Sequence, residues 1–215
     1  MEAPPLSRRD RERRERRQAM LDAARAVFAE KGYEQATLDE VAERAEFGKG
    51  TLYNYFEGGK EGILAALVED VFDGMEQIVE THVQDTHATL QTRFHALLTG
   101  LIAYFEQNRD TFLLLVKEVQ PLMLSPGHAV ARLVHARDAA LVERIRGPIE
   151  QAIEAGELRA LPPEAVARML FGNTEGLLLH HYCAPDAAVR EAPLPAGEIA
   201  SFVTTVLFEG LHPRP

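Results

Sequence analysis

The stretch Lys49-Gly50-Thr51-Leu52-Tyr53-Asn54-Tyr55-Phe56 decides how this chain is read. Leu52 and Phe56 are four residues apart, so on a helix they share the face that packs inward. Lys49, Gly50, Thr51, Tyr53, Asn54 and Tyr55 are left over. They are small, hydroxylated, amide or basic, the types that contact phosphates and base edges. Gly50 adds a place where the backbone itself can come close to a partner.

Upstream, Thr37-Leu38-Asp39-Glu40 is a capping box. The threonine hydroxyl accepts the third amide of the helix and the glutamate reaches back to the cap. Leu38, Val41, Ala42 and Ala45 then share one face of a short helix that breaks at residues 46–48. Before it, residues 14–31 form a helix with Met20, Ala24, Val27 and Phe28 as its inner stripe, and Gly32 closes it. Gly58 and Gly59 interrupt the chain downstream. Lys60 then opens a new helix, where an ammonium group and free amides can both meet a phosphate. A capped short helix, a tight turn and a second short helix make a helix-turn-helix, whose second helix can enter a major groove.

Everything beyond is also helical in period, with no alternating run that suggests a strand. Residues 60–81 carry Ile63, Leu64, Leu67, Val68, Val71, Phe72 and Met75 as one stripe. They span roughly 30 Å, enough for a strut between two parts of the protein. Further helices are expected over 90–105, 112–123, 128–155, 163–182 and 196–211, with a kink at Gly147-Pro148 and a loop over 183–195. The fold class is all-α. Residues 1–13 form a loose or arginine-rich arm, 14–60 the helix-turn-helix domain, and 61–215 a second helical domain.

Charge divides the 215 residues unevenly. The net charge is −10, yet residues 1–60 hold 12 Lys+Arg and 12 Asp+Glu, so all the excess acid lies downstream. Residues 1–17 alone carry seven arginines against four acids. That segment either extends the first helix, through pairs such as Glu12 with Arg16, or stays loose as a basic arm able to reach a minor groove. One cysteine excludes an internal disulfide and fits a reducing compartment. No apolar run approaches the roughly 18 residues of a membrane span, and the charged N-terminus is unlike a signal peptide. The expected location is the cytoplasm.

The segment 17–67 resembles the DNA-binding domain of the TetR (tetracycline-repressor-like) family of bacterial transcription regulators. The matching pieces are Ala23-Ala24-Arg25-Ala26-Val27-Phe28, Lys31-Gly32-Tyr33, Thr37-Leu38-Asp39-Glu40-Val41-Ala42, residues 49–56, and Lys60-Glu61. The resemblance implies an all-helical homodimer whose N-terminal helices bind a pseudo-palindromic operator in double-stranded DNA. A small-molecule effector in the C-terminal domain releases the DNA, and the last two long helices pair with those of the second copy. It also implies that Thr37, Lys49, Gly50, Thr51, Tyr53, Asn54, Tyr55 and Lys60 are the DNA-contacting residues. Four positions depart from the family pattern: Glu46, where a turn glycine is common; Gly48 and Gly59, where capping serines are common; and Gly62, in place of a helix former.

In residues 163–182 small and apolar groups occur nearly all round, so the helix needs both its own core and a partner. Met169, Gly172, Gly176, Phe202 and Val206 are the expected dimer contacts. His95, Phe105, Phe112, Val116, Met123 and Glu175 are the candidate effector contacts, Glu118 and Glu175 being the odd polar residues on apolar helices. No metal or other cofactor is expected. His180, His181 and Cys183 cluster, but adjacent histidines point about 100° apart, and Glu209-x-x-His212 is a single motif where a di-iron bundle needs two. Signatures of an enzyme are missing. Two rival readings remain: a helical ligand-binding protein with a degenerate DNA head, and a helical enzyme using the histidine and glutamate groups.

Overall fold

The computed structural model describes residues 7–83, 88–125, 127–183 and 195–211, with the side chains of 180–183 and 210–211 left aside. The expectations for the segment before Ser7, for the His180, His181 and Cys183 cluster, for His212 and for most of the 183–195 loop lie outside the described residues. Among the described residues there are nine helices and no strand.

Local capping sets where the first helices start. The Ser7 hydroxyl accepts the Asp10 amide at 3.2 Å, so α1 (Arg8–Lys31) begins at Arg8 rather than near residue 14. The arginine-rich segment is therefore helix, and Glu12 pairs with Arg8 at 2.8 Å instead of with Arg16. Gly32 ends α1 with φ +78°. The Thr37 capping box forms in full: its hydroxyl accepts from the Glu40 amide at 3.3 Å, and the Glu40 carboxylate accepts from the Thr37 amide at 3.0 Å. It opens α2 (Leu38–Arg44), and α3 (Lys49–Tyr55) follows.

The remaining helices are α4 (Lys60–Val83), α5 (Leu90–Gln107), α6 (Arg109–Met123), α7 (Ala129–Glu154), α8 (Pro163–Cys183) and α9 (Ala196–Leu211). Helix α7 runs unbroken through Gly147-Pro148. None of the described helices is long and apolar enough to cross a membrane.

The chain packs as two compact units. The first joins residues 1–70 with 110–133, and the second joins 71–109 with 134–215. In the first, Met20, Leu21, Ala24 and Phe28 of α1 meet Val41 and Ala42 of α2, Leu52 and Phe56, and Ile63, Leu64 and Leu67 of α4 in a buried core. In the second, α5 packs along α9. The rings of Phe94 and Phe208 meet edge to face at 5.9 Å, and Leu97, Leu101, Ile145, Val166 and Leu170 are buried in the same unit. Gly74 and Tyr104 set the close approach of α4 and α5: a Cβ on Gly74 would lie 2.2 Å from the tyrosine hydroxyl.

Candidate nucleic-acid interface

Two turns aim α3. The first, between α2 and α3, needs one residue in the left-handed region, and the chain supplies Glu46 at φ +59°. The Glu46 amide donates to the Glu43 carbonyl at 3.1 Å and the Phe47 amide to the Ala42 carbonyl at 3.0 Å. That pair of bonds is the Schellman closure of a helix C-terminus, usually built around glycine. The second turn uses Gly58 and Gly59 at φ +80° and +66°. A Cβ on Gly59 would stand 3.0 Å from Leu38 and 3.3 Å from the Tyr53 ring, so the turn into α4 favours glycine here. Gly62 also has a steric reason. Its Cβ would lie 1.9 Å from the Glu57 carbonyl oxygen, which tucks under the first turn of α4.

Between these turns Leu52 is buried, as is Phe56 just beyond, while Lys49, Gly50, Tyr53 and Asn54 are exposed and Thr51 and Tyr55 half-buried. Tyr53 presents 51% of its surface, a large aromatic left outward. No atom beyond its own helix lies near a Cβ built on Gly50, which leaves that backbone open. Gly48 caps α3 without a side-chain bond, so the first amides of α3 have no side-chain cap. Thr37 is exposed; it spends its acceptor on the Glu40 amide and keeps its hydroxyl hydrogen to donate.

Two lysines behave differently from one another. The Lys49 ammonium donates to the Asp39 carboxylate of α2 at 2.9 Å, a bond across the helix-turn-helix that raises the lysine pKa. Both partners are exposed and the pair stays available for exchange. Lys60 points the other way. Its ammonium donates to the carbonyls of Tyr33 at 2.7 Å, Glu34 at 3.1 Å and Ala36 at 3.1 Å, and sits 4.6 Å from the Tyr33 ring centre. Three carbonyls use all three ammonium hydrogens, so Lys60 clamps the loop between α1 and α2, and any phosphate has to compete with that loop. Burial, then the charges of Glu61, Glu34 and Glu118, push the Tyr33 hydroxyl up to about 12. The Tyr33 amide donates to Glu118 of α6 at 3.4 Å, which gives that odd glutamate its partner.

The second unit carries the expected dimer residues. Met169, Phe202 and Val206 expose 55%, 60% and 60% of their surfaces, and Leu177 of α8 exposes 38%. With Leu161, Val166, Asn173, Val203 and Leu207 they line an apolar groove of about 370 Å³ along α8 and α9. Gly172 and Gly176 are exposed with open space above them. The candidate effector contacts are not gathered in this way. His95 is half-buried and bonded to Ser201 of α9 at 3.0 Å. Phe105 belongs with it to the second unit, whereas Phe112, Val116 and Met123 belong to the first. Glu175 lies on the exposed side of α8. Surrounding protein still desolvates its carboxyl and, with the charge of Asp138, raises its pKa.

Sequence reasoning missed Asp39 and the groove residues Leu161 and Asn173. Asp39 is ten positions from Lys49 and meets it only because the turn at Glu46 folds α3 back on α2.

Residues 20–67 match the model of bacterial regulatory proteins of the tetR family. That segment carries the helix-turn-helix of α2 and α3. Over 197 residues the chain is 24% identical to the HTH-type transcriptional regulator YhgD of Bacillus subtilis (strain 168), covering 92% of this chain and 97% of that one. Its fold is that of the transcriptional regulator FadR from Bacillus subtilis, solved in complex with stearoyl-CoA. The TM-score is 0.71 at 20% identity, over 91% of this chain and 99% of the other. It is also that of AibR, solved with isovaleryl coenzyme A and operator DNA, with a TM-score of 0.66 at 22% identity over 90% and 98% of the two chains. These likenesses extend the match from the helix-turn-helix segment to the fold of the whole described chain.

Proposed function

We propose that this protein is a homodimeric transcriptional repressor that lays the outward face of α3 in the major groove of a pseudo-palindromic operator and leaves it when a small molecule binds the helical C-terminal region. One observation carries the reading: α3 is anchored inward by Leu52 and presents Lys49, Gly50, Tyr53 and Asn54 outward, with Thr37 exposed at the α2 cap. The exposed apolar groove of α8 and α9 supports the homodimer, because Met169, Phe202 and Val206 together are a patch that a second copy would cover. Two copies would read half-sites about 34–36 Å apart or a multiple of that.

FadR and AibR were each solved with an acyl-CoA, so acyl-CoA thioesters are the first effector class to test. DNA from upstream of the protein's own gene is compared with shuffled DNA by fluorescence anisotropy, with and without acyl-CoAs of graded length. The expected result is a preference of roughly a thousandfold for the upstream DNA, at an even number of protomers, reversed by one ligand class. Lys49→Ala weakens that binding without changing the melting temperature, and Phe202→Arg leaves monomers. Absence of binding even at low salt would favour a degenerate DNA head.

A further inference from the structure

The inner stripe of α1 does not end where the core ends; it turns into arginine. At 100° per residue, Arg9, Arg13, Arg16 and Arg17 fall on the same side of α1 as Met20, Ala24 and Val27, which are buried in the first unit. The guanidinium of Arg13 lies 5.9 Å from the Tyr55 ring centre, and that of Arg17 lies 5.8 Å from the ring centre of Phe56. These two rings close the C-terminal end of α3. The N-terminal part of α1 is thereby held against the recognition helix.

The arginines of this segment divide by partner. Arg17 is anchored to Asp70 at 2.9 Å, and Arg8 to Glu12 at 2.8 Å. Arg9, Arg13 and Arg16 are exposed, and none has a carboxylate within ion-pair distance among the described residues. Between Arg8 and Arg17 the chain has seven arginines against three carboxylates, in a protein whose net charge is −10. The segment also precedes residues 20–67, the part that matches the family model.

We propose that Arg9, Arg13 and Arg16 form a second DNA-contacting edge, which grips backbone phosphates of the duplex flanking the bases read by α3. The inference rests on the reading that α3 docks on DNA. The helix from Arg8 to Met20 reaches about 18 Å, or some five base pairs of duplex, past the core. Guanidinium groups bind phosphate oxygens through paired donors, and such contacts add affinity and register without reading sequence.

The test substitutes all three residues in the full-length chain, once as Arg9→Gln, Arg13→Gln, Arg16→Gln and once as the three lysine changes. Affinity for a random 30-base-pair duplex and for the upstream DNA is followed over a salt series, with circular dichroism confirming equal helix content. The glutamine variant is expected to flatten the slope of log K against log salt by about 0.9 per lost contact, near three for each protomer. The lysine variant restores the slope, and the ratio of upstream to random affinity stays the same in both. A glutamine variant with wild-type slope and affinity overturns the inference and leaves α3 docking intact. A flattened slope in a protein that never prefers upstream DNA upholds the inference and counts against the repressor reading. A wild-type protein that binds no duplex at low salt overturns both.

Discussion

Replacing Glu46 with glycine separates two effects that meet in one residue. The backbone at Glu46 has φ +59°, where a side chain crowds the following carbonyl at a cost of about 1–2 kcal/mol. Glycine removes that strain but gains about 0.4–1 kcal/mol of entropy in the unfolded chain. The two hydrogen bonds of the turn, from the amides of Glu46 and Phe47, belong to the backbone and survive the change. The net expectation is a stabilisation of about 0.5–1 kcal/mol, which for a chain this size raises the melting temperature by roughly 1–4 °C. Electrostatics follow separately. A carboxylate about 10 Å from a phosphate in water costs roughly 0.4 kcal/mol, so removing it tightens DNA binding about twofold per protomer. Glu46→Gln removes the charge and keeps the strained backbone. Calorimetry should therefore show Glu46→Gly more stable than wild type and Glu46→Gln equal to it, while anisotropy shows both binding DNA more tightly. A less stable glycine variant, or a glutamine variant as stabilised as the glycine one, would refute the reasoning.

Gly62→Ala should destabilise by about 1–3 kcal/mol, the range for overpacking, because the new Cβ would meet the Glu57 carbonyl at 1.9 Å; urea melts read this directly. Lys60→Gln should cost about 2 kcal/mol of stability, since three loop carbonyls lose a charged donor. A glutamine variant with wild-type stability and weakened DNA binding would return Lys60 to a phosphate-contacting role. Acid should loosen the cap of α2. Bonds from Lys31, then from the Thr37 amide and hydroxyl, hold the Glu40 carboxyl down to about 2, well below its ordinary 4.5. A depressed carboxylate stabilises the fold above its unfolded pKa, and that contribution fades as pH falls from about 4.5 toward 2. Glu40→Gln should flatten the pH dependence of the melting temperature in that window, and an unchanged profile would remove Glu40 from the account.

The parts of the head that were legible beforehand are those encoded within a few residues. The Thr37 box spans four positions, and the turn at Glu46 shows as a break between two short helices. The interior choice of Leu52 over Tyr53 is plain helix spacing. The start of α1 was misplaced because the segment from Arg8 onward has no apolar stripe for periodicity to register; the signal was the Ser7-x-x-Asp10 cap, a hydroxyl three residues ahead of an acid. The bonds of Lys60 and Asp39 escape the sequence for a different reason. Their partners lie 24–27 and ten positions away, so only the folded loop shows that one lysine is fully bonded inward and the other only lent to an aspartate. The candidate effector contacts are mostly bulky residues of apolar helices, a pattern that core packing produces equally well.

The bond between Lys49 and Asp39 gives the recognition helix a resting state of its own. With α3 docked as proposed, a phosphate has to take the lysine away from the aspartate, and it can do so only where the backbone comes within reach of the ammonium. On loosely or wrongly aligned duplex the lysine stays with Asp39 and adds nothing to the grip. The bridge thus widens the gap between seated and unseated complexes by weakening the unseated ones. A regulator built this way leaves irrelevant sites sooner, so its search of a chromosome is shortened by faster release.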